Sequence, residues 1–174
     1  MPLAGRPLLL HPLAAVAAAC ARVAVVAKRD TALPALPEGV ERLVEPDEPR
    51  HPLTGVAWAV RRAAGPVLVC AADMPFVTAE ACRRLLAAAA EEARGCDRFP
   101  AAVVAASEAE LEPLLGVYGP VALDALADAP SDVPVRSAVA ALDPVRVQLP
   151  AAWVRSVNTP PDLAAAEAEL AGTA

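Results

Sequence analysis

The stretch Pro66-Val67-Leu68-Val69-Cys70-Ala71-Ala72-Asp73-Met74-Pro75-Phe76 constrains this chain more than any other. Six apolar residues, Val67 to Ala72, run without a charge and end at a carboxylate, Asp73. Pro75 has no N–H to give a ladder and drives Met74 into extended or turn geometry. A short apolar run bounded by turn signals predicts a central parallel strand covered on both faces. Ligands of open α/β sheets bind beyond the carboxyl ends of the strands, which is where Asp73 stands. Two readings compete at Asp73: a site carboxylate, or a turn cap, a role for which Asp is favoured.

Composition narrows the classes. The 174 residues suit one domain spanning 1–174, with room for a real core. With 56% hydrophobic and 21% charged residues the chain is globular rather than disordered. A formal net charge of −6 leaves no basic footprint, which argues against nucleic acid as a partner but not against a nucleotide held locally. Cys20, Cys70, Cys82 and Cys96 show no C-x-x-C spacing, and with only His11 and His51 beside them they suggest no zinc site. They read as reduced core thiols of a cytoplasmic protein. Every apolar stretch is broken by Arg, Pro or His well short of a membrane span. The opening Met1–Leu13 is apolar without a basic region or cleavage site, and reads as a helix rather than a signal peptide.

Along the chain, positions 7–21 are helical by composition, with the regular helix starting near His11 because Pro12 fits only a first turn. Strands are expected at 23–27 and 40–44, an irregular Pro-rich segment at 45–52, and a helix at 53–64. The strand at 66–72 leads into a helix at 79–93 capped by Thr78. Strands follow at 101–105, 113–118 and 145–149, with an acidic exposed interval at 107–112 and helices at 121–127 and 135–142. Thr159-Pro160-Pro161-Asp162 opens a last helix, with Thr159 as cap and Asp162 closing a capping box. Strands alternating with helices, over connections too long for hairpins, predict an α/β domain with a mainly parallel sheet.

Four stretches qualify as site candidates because each lies at a strand end or leads into a helix. Asp73 suits magnesium, which uses one or two carboxylates together with substrate phosphates. In His51-Pro52-Leu53-Thr54-Gly55, Gly55 would let a ligand approach and the N–H groups of the next helix could face phosphate; the competing reading is a plain Pro-led helix start. Asn158, in Arg155-Ser156-Val157-Asn158-Thr159-Pro160, either contacts a ligand or serves the helix cap. Tyr118, closing Glu112–Tyr118, is either a core aromatic or a base-stacking surface. Arg136 could bind an anion or simply be solvated. No nucleophile–base pair is visible around His11 or His51.

Taken in order, Gly5-Arg6-Pro7-Leu8-Leu9 with His11, Pro52-Leu53-Thr54-Gly55, Ala72-Asp73-Met74-Pro75-Phe76, Pro113-Leu114-Leu115-Gly116-Val117-Tyr118 and Val157-Asn158-Thr159-Pro160-Pro161-Asp162-Leu163 resemble the molybdenum cofactor guanylyltransferases, nucleotidyltransferases of Rossmann-like fold. The resemblance implies a three-layer α/β fold and transfer of GMP from GTP onto the phosphate of molybdopterin or its molybdenum-loaded form, releasing pyrophosphate with Mg2+. It implies Asp73 as metal ligand and catalytic carboxylate, and Pro52, Leu53 and Gly55 around the nucleotide. Arg136 and Asn158 then lie toward the pterin phosphate.

Members of that family begin with a strand and a glycine-rich loop carrying Arg and Lys, whereas this sequence opens at Met1-Pro2-Leu3-Ala4-Gly5, just past the loop. The expected fold is therefore N-terminally truncated, with two unpaired strand edges in its interior. Lys28 follows a different strand and does not replace the loop lysine. Two further readings stand beside the transferase: CTP or another acceptor with the same chemistry, and an inactive relative that binds partners such as molybdoenzyme-delivery proteins. An Ala-rich helical module is disfavoured by the strand at 67–72 and the lack of heptads.

Overall fold

The chain opens on a small hairpin, not a helix. In the computed structural model, which describes residues 1–95, 99–108, 110–130 and 132–172, β1 (Pro2–Leu3) pairs antiparallel with β2 (Arg6–Pro7). The turn residues Ala4 and Gly5 both have positive φ, 48° and 75°, the geometry that matches strand twist in a two-residue hairpin. Gly5 adopts it without strain. Helix α1 (Leu10–Ala17) follows, with Pro12 in its first turn as the sequence predicts.

β3 (Val23–Ala27) and β4 (Val40–Val44) form a parallel pair, Val23 opposite Val40 through Ala27 opposite Val44. Helix α2 (Pro52–Ala63) starts with Pro52 at its first position, where a missing N–H costs nothing, and ends on Ala64 in the left-handed conformation (φ 51°). β5 (Val67–Cys70) comes next, then α3 (Ala79–Gly95), whose cap is Thr78 Oγ1 accepting from the Ala81 N–H at 3.1 Å. β6 (Ala102–Ser107) and β7 (Glu110–Tyr118) follow, then α4 (Leu123–Ala127) and α5 (Val135–Ala140). β8 (Val145–Gln148), the single turn α6 (Ala151–Val154) and α7 (Pro160–Gly172) complete the chain.

The larger sheet has the order β5-β7-β6-β8. β5, β6 and β8 run one way and β7 runs against them, so this sheet is mixed, with two antiparallel pairings and one parallel, where the sequence predicts a mainly parallel one. Period-2 alternation divides its side chains between two helical layers. Val104 and Tyr118 join Leu53, Val56 and Val60 of α2, with Leu126 and Val139, on one face. Val103, Leu115 and Val117 join Cys82 and Leu85 of α3, with α1 behind them, on the other. The result is three layers.

Two further expectations are corrected. β6 and β7 form a tight hairpin, Ser107 pairing with Glu110, where only long crossovers are expected from the sequence. The stretch 110–112, read as an exposed acidic interval, belongs to the strand because alternation needs only Leu111 inward while Glu110 faces water. Secondly, the stretch expected as a central parallel strand is half-buried and pairs antiparallel with β7, because β5 has a neighbour on one edge only among the described residues.

Gly116 stands where β6 and β7 approach most closely: a Cβ there would lie 2.7 Å from the Val103 carbonyl oxygen and 3.1 Å from Val104 Cα. Backbone cannot yield as a flexible side chain does. Gly116→Ala is expected to lower the unfolding free energy by roughly 1–3 kcal/mol, seen as a lower urea midpoint at unchanged m-value.

Candidate active site

Asp73 follows β5 in a turn tied down through its main chain. Ala71 N–H continues the ladder to the Leu114 carbonyl at 2.8 Å, Val77 N–H bonds the Met74 carbonyl, and the Asp73 carbonyl accepts from Val157 N–H at 2.8 Å. The segment that supplies Val157 is itself pinned, since Arg155 lies over the Phe76 ring at 4.2 Å and donates to Glu169 of α7 at 2.6 Å. The backbone around the carboxylate is thus held from two sides.

The carboxylate is left wanting a partner. Asp73 Oδ1 is buried and makes no hydrogen bond. Burial pushes the Asp73 carboxyl above its usual range, and a bond from its own backbone N–H only partly opposes this. The side chain lines a cavity of about 180 Å³ shared with Glu112, Ser156, Pro113 and Val135. Burial also raises the Glu112 carboxyl, with Glu110 reinforcing and Arg136 opposing the shift. Two desolvated carboxylates on one small cavity make an oxygen-rich site short of positive charge. Hard oxygen donors of this kind suit magnesium, which needs only one or two protein carboxylates, so the residues fit that ion. Among the described residues no cluster of three or more His, Cys, Asp or Glu side chains could hold a metal by itself.

A second, larger cavity of about 920 Å³ adjoins the first, and Ala71 and Leu114 line both. Pro52 and Gly55 line it, in keeping with the sequence expectation, but Leu53 does not: its side chain is fully buried in the core. The helix donors expected to face phosphate are already used. Leu53 N–H bonds His51 Nδ1 at 3.4 Å and Thr54 N–H bonds the His51 carbonyl at 3.0 Å. His51 Nε2 lies 3.2 Å from the Val133 carbonyl, so Nε2 carries the proton and Nδ1 accepts.

Beside Gly55 lies a charge pair that sequence reasoning did not single out. Lys28 and Glu45 approach to 3.6 Å with side chains only 13% and 14% exposed. Lys28 Nζ also donates to the Pro46 and Pro49 carbonyls, while Glu45 Oε2 is buried without a partner. A Cβ on residue 55 would stand 2.9 Å from that oxygen, so glycine makes room for the carboxylate.

Tyr118 is a core residue, fully buried with its hydroxyl donating to the Pro113 carbonyl, and presents no stacking surface. Arg136 is half-exposed and bonded to Glu110 at 2.8 Å. Asn158 is exposed, and its N–H and that of Thr159 are taken by Asp162 Oδ2 at 3.1 and 2.8 Å, the capping box read from the sequence. Neither Arg136 nor Asn158 lines the Asp73 cavity; Glu112 and Ser156, from the same stretches as Tyr118 and Asn158, do. The pairing of β6 and β7 jumps from Val104–Gly116 to Ala105–Glu112, and this irregularity resets which β7 residues face the site. Pro113, which cannot donate to a ladder, was the available signal. Burial pushes Cys70 and Cys82 up to about 12 and 11, so both thiols stay protonated at neutral pH and are not nucleophiles.

A family model described as the MobA-like NTP transferase domain matches residues 1–146. The chain belongs to this family. Molybdopterin-guanine dinucleotide biosynthesis protein A from Archaeoglobus fulgidus is 26% identical, with TM-score 0.59 over 77% of this chain and 69% of that one. 2-C-methyl-D-erythritol 4-phosphate cytidylyltransferase from Thermus thermophilus is 23% identical, with TM-score 0.70 over 98% of this chain and 92% of that one. A 4-diphosphocytidyl-2C-methyl-D-erythritol synthase gives TM-score 0.72 at 15% identity over the same shares. At these identities the last two show the shared fold. No curated protein matches the sequence. Asp73, Glu112 and the Lys28–Glu45 pair fall within the family span, whereas Ser156 and Asn158 lie beyond it. No helix among the described residues is long and apolar enough to cross a membrane.

Removing one partner of a largely buried pair leaves the other charge uncompensated. Lys28→Met is expected to cost about 3 kcal/mol in urea unfolding, and Lys28→Met with Glu45→Gln to recover most of that loss.

Proposed function

We infer that this MobA-like chain transfers GMP from GTP to the phosphate of molybdopterin or the molybdenum cofactor, releasing pyrophosphate. The observation that carries the reading is Asp73: a buried, unpartnered carboxylate oxygen after β5, inside the family span and next to the larger cavity. Asp73, with Glu112 beside it, would hold Mg2+, which supplies charge neutralisation on the transferring phosphates. The main-chain bond from Val157 N–H holds the turn that carries Asp73. Pro52 and Gly55 border the space assigned to the nucleotide, and Ser156 offers a hydroxyl on the acceptor side. The place of action is the cytoplasm, with hand-over to molybdoenzyme-delivery proteins.

The likeness to the cytidylyltransferase, over nearly the whole chain, favours a second reading in which CTP replaces GTP. Parallel assays with each nucleotide, Mg2+ and molybdopterin, scored by pyrophosphate release, separate the two. Turnover with GTP alone supports the first reading, and turnover with CTP alone overturns it.

Asp73→Asn is expected to lower turnover on the order of 10²–10³-fold; an unchanged Mg2+-dependent rate removes Asp73 from the chemistry. The same variant has a stability signature. The Asp73 carboxyl is raised in the folded state, so its favourable contribution is complete below its unfolded value and is lost as pH rises through the folded value. Without Mg2+, Asp73→Asn should therefore melt above the parent at pH 7, the gap closing as pH falls toward about 4.

A further inference from the structure

Of the four residues from Val154 to Val157, three are committed to the interior or to the Asp73 cavity. Val154 shares a buried cluster with Met74 and Val77, Ser156 lines the cavity beside Asp73, and Val157 is buried with Leu3 and Ala166 in a cluster that Phe76 joins. The segment therefore follows the turn 73–77 that carries the carboxylate. Arg155 is its exposed member. The Arg155 guanidinium lies over the Phe76 ring at 4.2 Å and donates to Glu169 of α7 at 2.6 Å. It is directed at these two groups rather than at Asp73, whose Oδ1 has no partner.

Two contacts of different kinds thus join this segment to the turn. Val157 N–H donates to the Asp73 carbonyl at 2.8 Å, and Phe76, three residues past Asp73, is stacked under Arg155. With the chain on either side they close a ring of contacts, which Glu169 ties to α7. Arginine suits the position, because a planar guanidinium can stack on an aromatic face while its edge N–H groups reach a carboxylate. Arg84 makes the same two kinds of contact elsewhere: it lies over the Trp153 ring at 5.4 Å and bonds Glu80 at 2.9 Å. Those contacts hold α6 to α3 and do not touch the turn, so Arg84 is an internal control.

We propose that Arg155 is a positioning residue: clamped between Phe76 and Glu169, it keeps Val157 N–H on the Asp73 carbonyl and so holds the carboxylate where a divalent cation binds. The inference rests on the reading of Asp73 as a metal ligand. Arg155, Val157 and Glu169 all lie past residue 146, outside the family span, so the clamp is carried by this chain's own contacts. Arg155 acts through Phe76 and the main chain, without touching the cation. Groups that orient a metal ligand from behind set affinity even though they never reach the ion.

The test is Mn2+ binding to residues 1–174 with GTP present, read by water-proton relaxation, with hydrogen exchange at the Val157 amide measured alongside. Binding that Asp73→Asn removes is binding at Asp73. Arg155→Met should weaken it about tenfold and speed exchange at Val157 about tenfold, with Tm close to that of Arg84→Met. Arg84→Met should leave the Mn2+ affinity and the Val157 exchange as they are in the parent. In a Phe76→Leu background, Arg155→Met should add less than about twofold, because the ring it acts through is gone. An unchanged Mn2+ affinity in Arg155→Met, equal weakening by Arg84→Met, or the full tenfold loss in the Phe76→Leu background overturns the proposal. So does a parent with no Mn2+ binding that Asp73→Asn removes. None of these readouts needs turnover, so a protein that binds Mn2+ at Asp73 yet releases no pyrophosphate from GTP counts against the transferase reading alone.

Discussion

Among the described residues β5 reaches the rest of the larger sheet only through β7: Val67 opposite Tyr118 to Cys70 opposite Leu115, extended by Ala71 N–H to the Leu114 carbonyl. The same strand pairs on its other edge with β6, which carries β8. β7 therefore sets where Asp73 emerges from β5 and brings Glu112 to the same cavity. Its reversed direction is tolerated because both faces remain covered by helices, so alternation along it serves two cores at once. Gly116 permits the close approach to β6 on which this register depends.

The two carboxylates of the small cavity are held against the preference of the fold. Burial penalises their charged forms, and Asp73 has no cation beside it among the described residues. A protein under selection for stability alone would solvate or pair such groups. Under the proposed function, keeping them desolvated and oriented serves a cation and phosphates, at some expense of the unliganded state. Lys28 and Glu45 handle the same problem differently: they pair with each other, and Lys28 Nζ also donates to the Pro46 and Pro49 carbonyls.

Residues with a local physical signature were readable from the sequence. Pro12 and Pro52 mark helix starts, Thr78 and Thr159 mark caps, and the uncharged runs at 23–27 and 67–70 mark strands, because each acts through its own backbone or its immediate neighbours. Asp73 at a strand end was legible for the same reason. Tyr118 and Glu112 were harder to sort. The stretch contains both, and which one faces a cavity depends on an irregularity in pairing with a strand distant in sequence.

The sequence by itself therefore determined the order of elements from α1 to β8, the capping, the α/β class and the place of Asp73 at a strand end, all set by interactions a few residues long. Tertiary structure alone decided the β6–β7 hairpin, the company of Glu112 and Ser156 at Asp73 and the buried Lys28–Glu45 pair. These depend on ladder register and on which apolar faces meet, and both are settled between segments far apart in the chain.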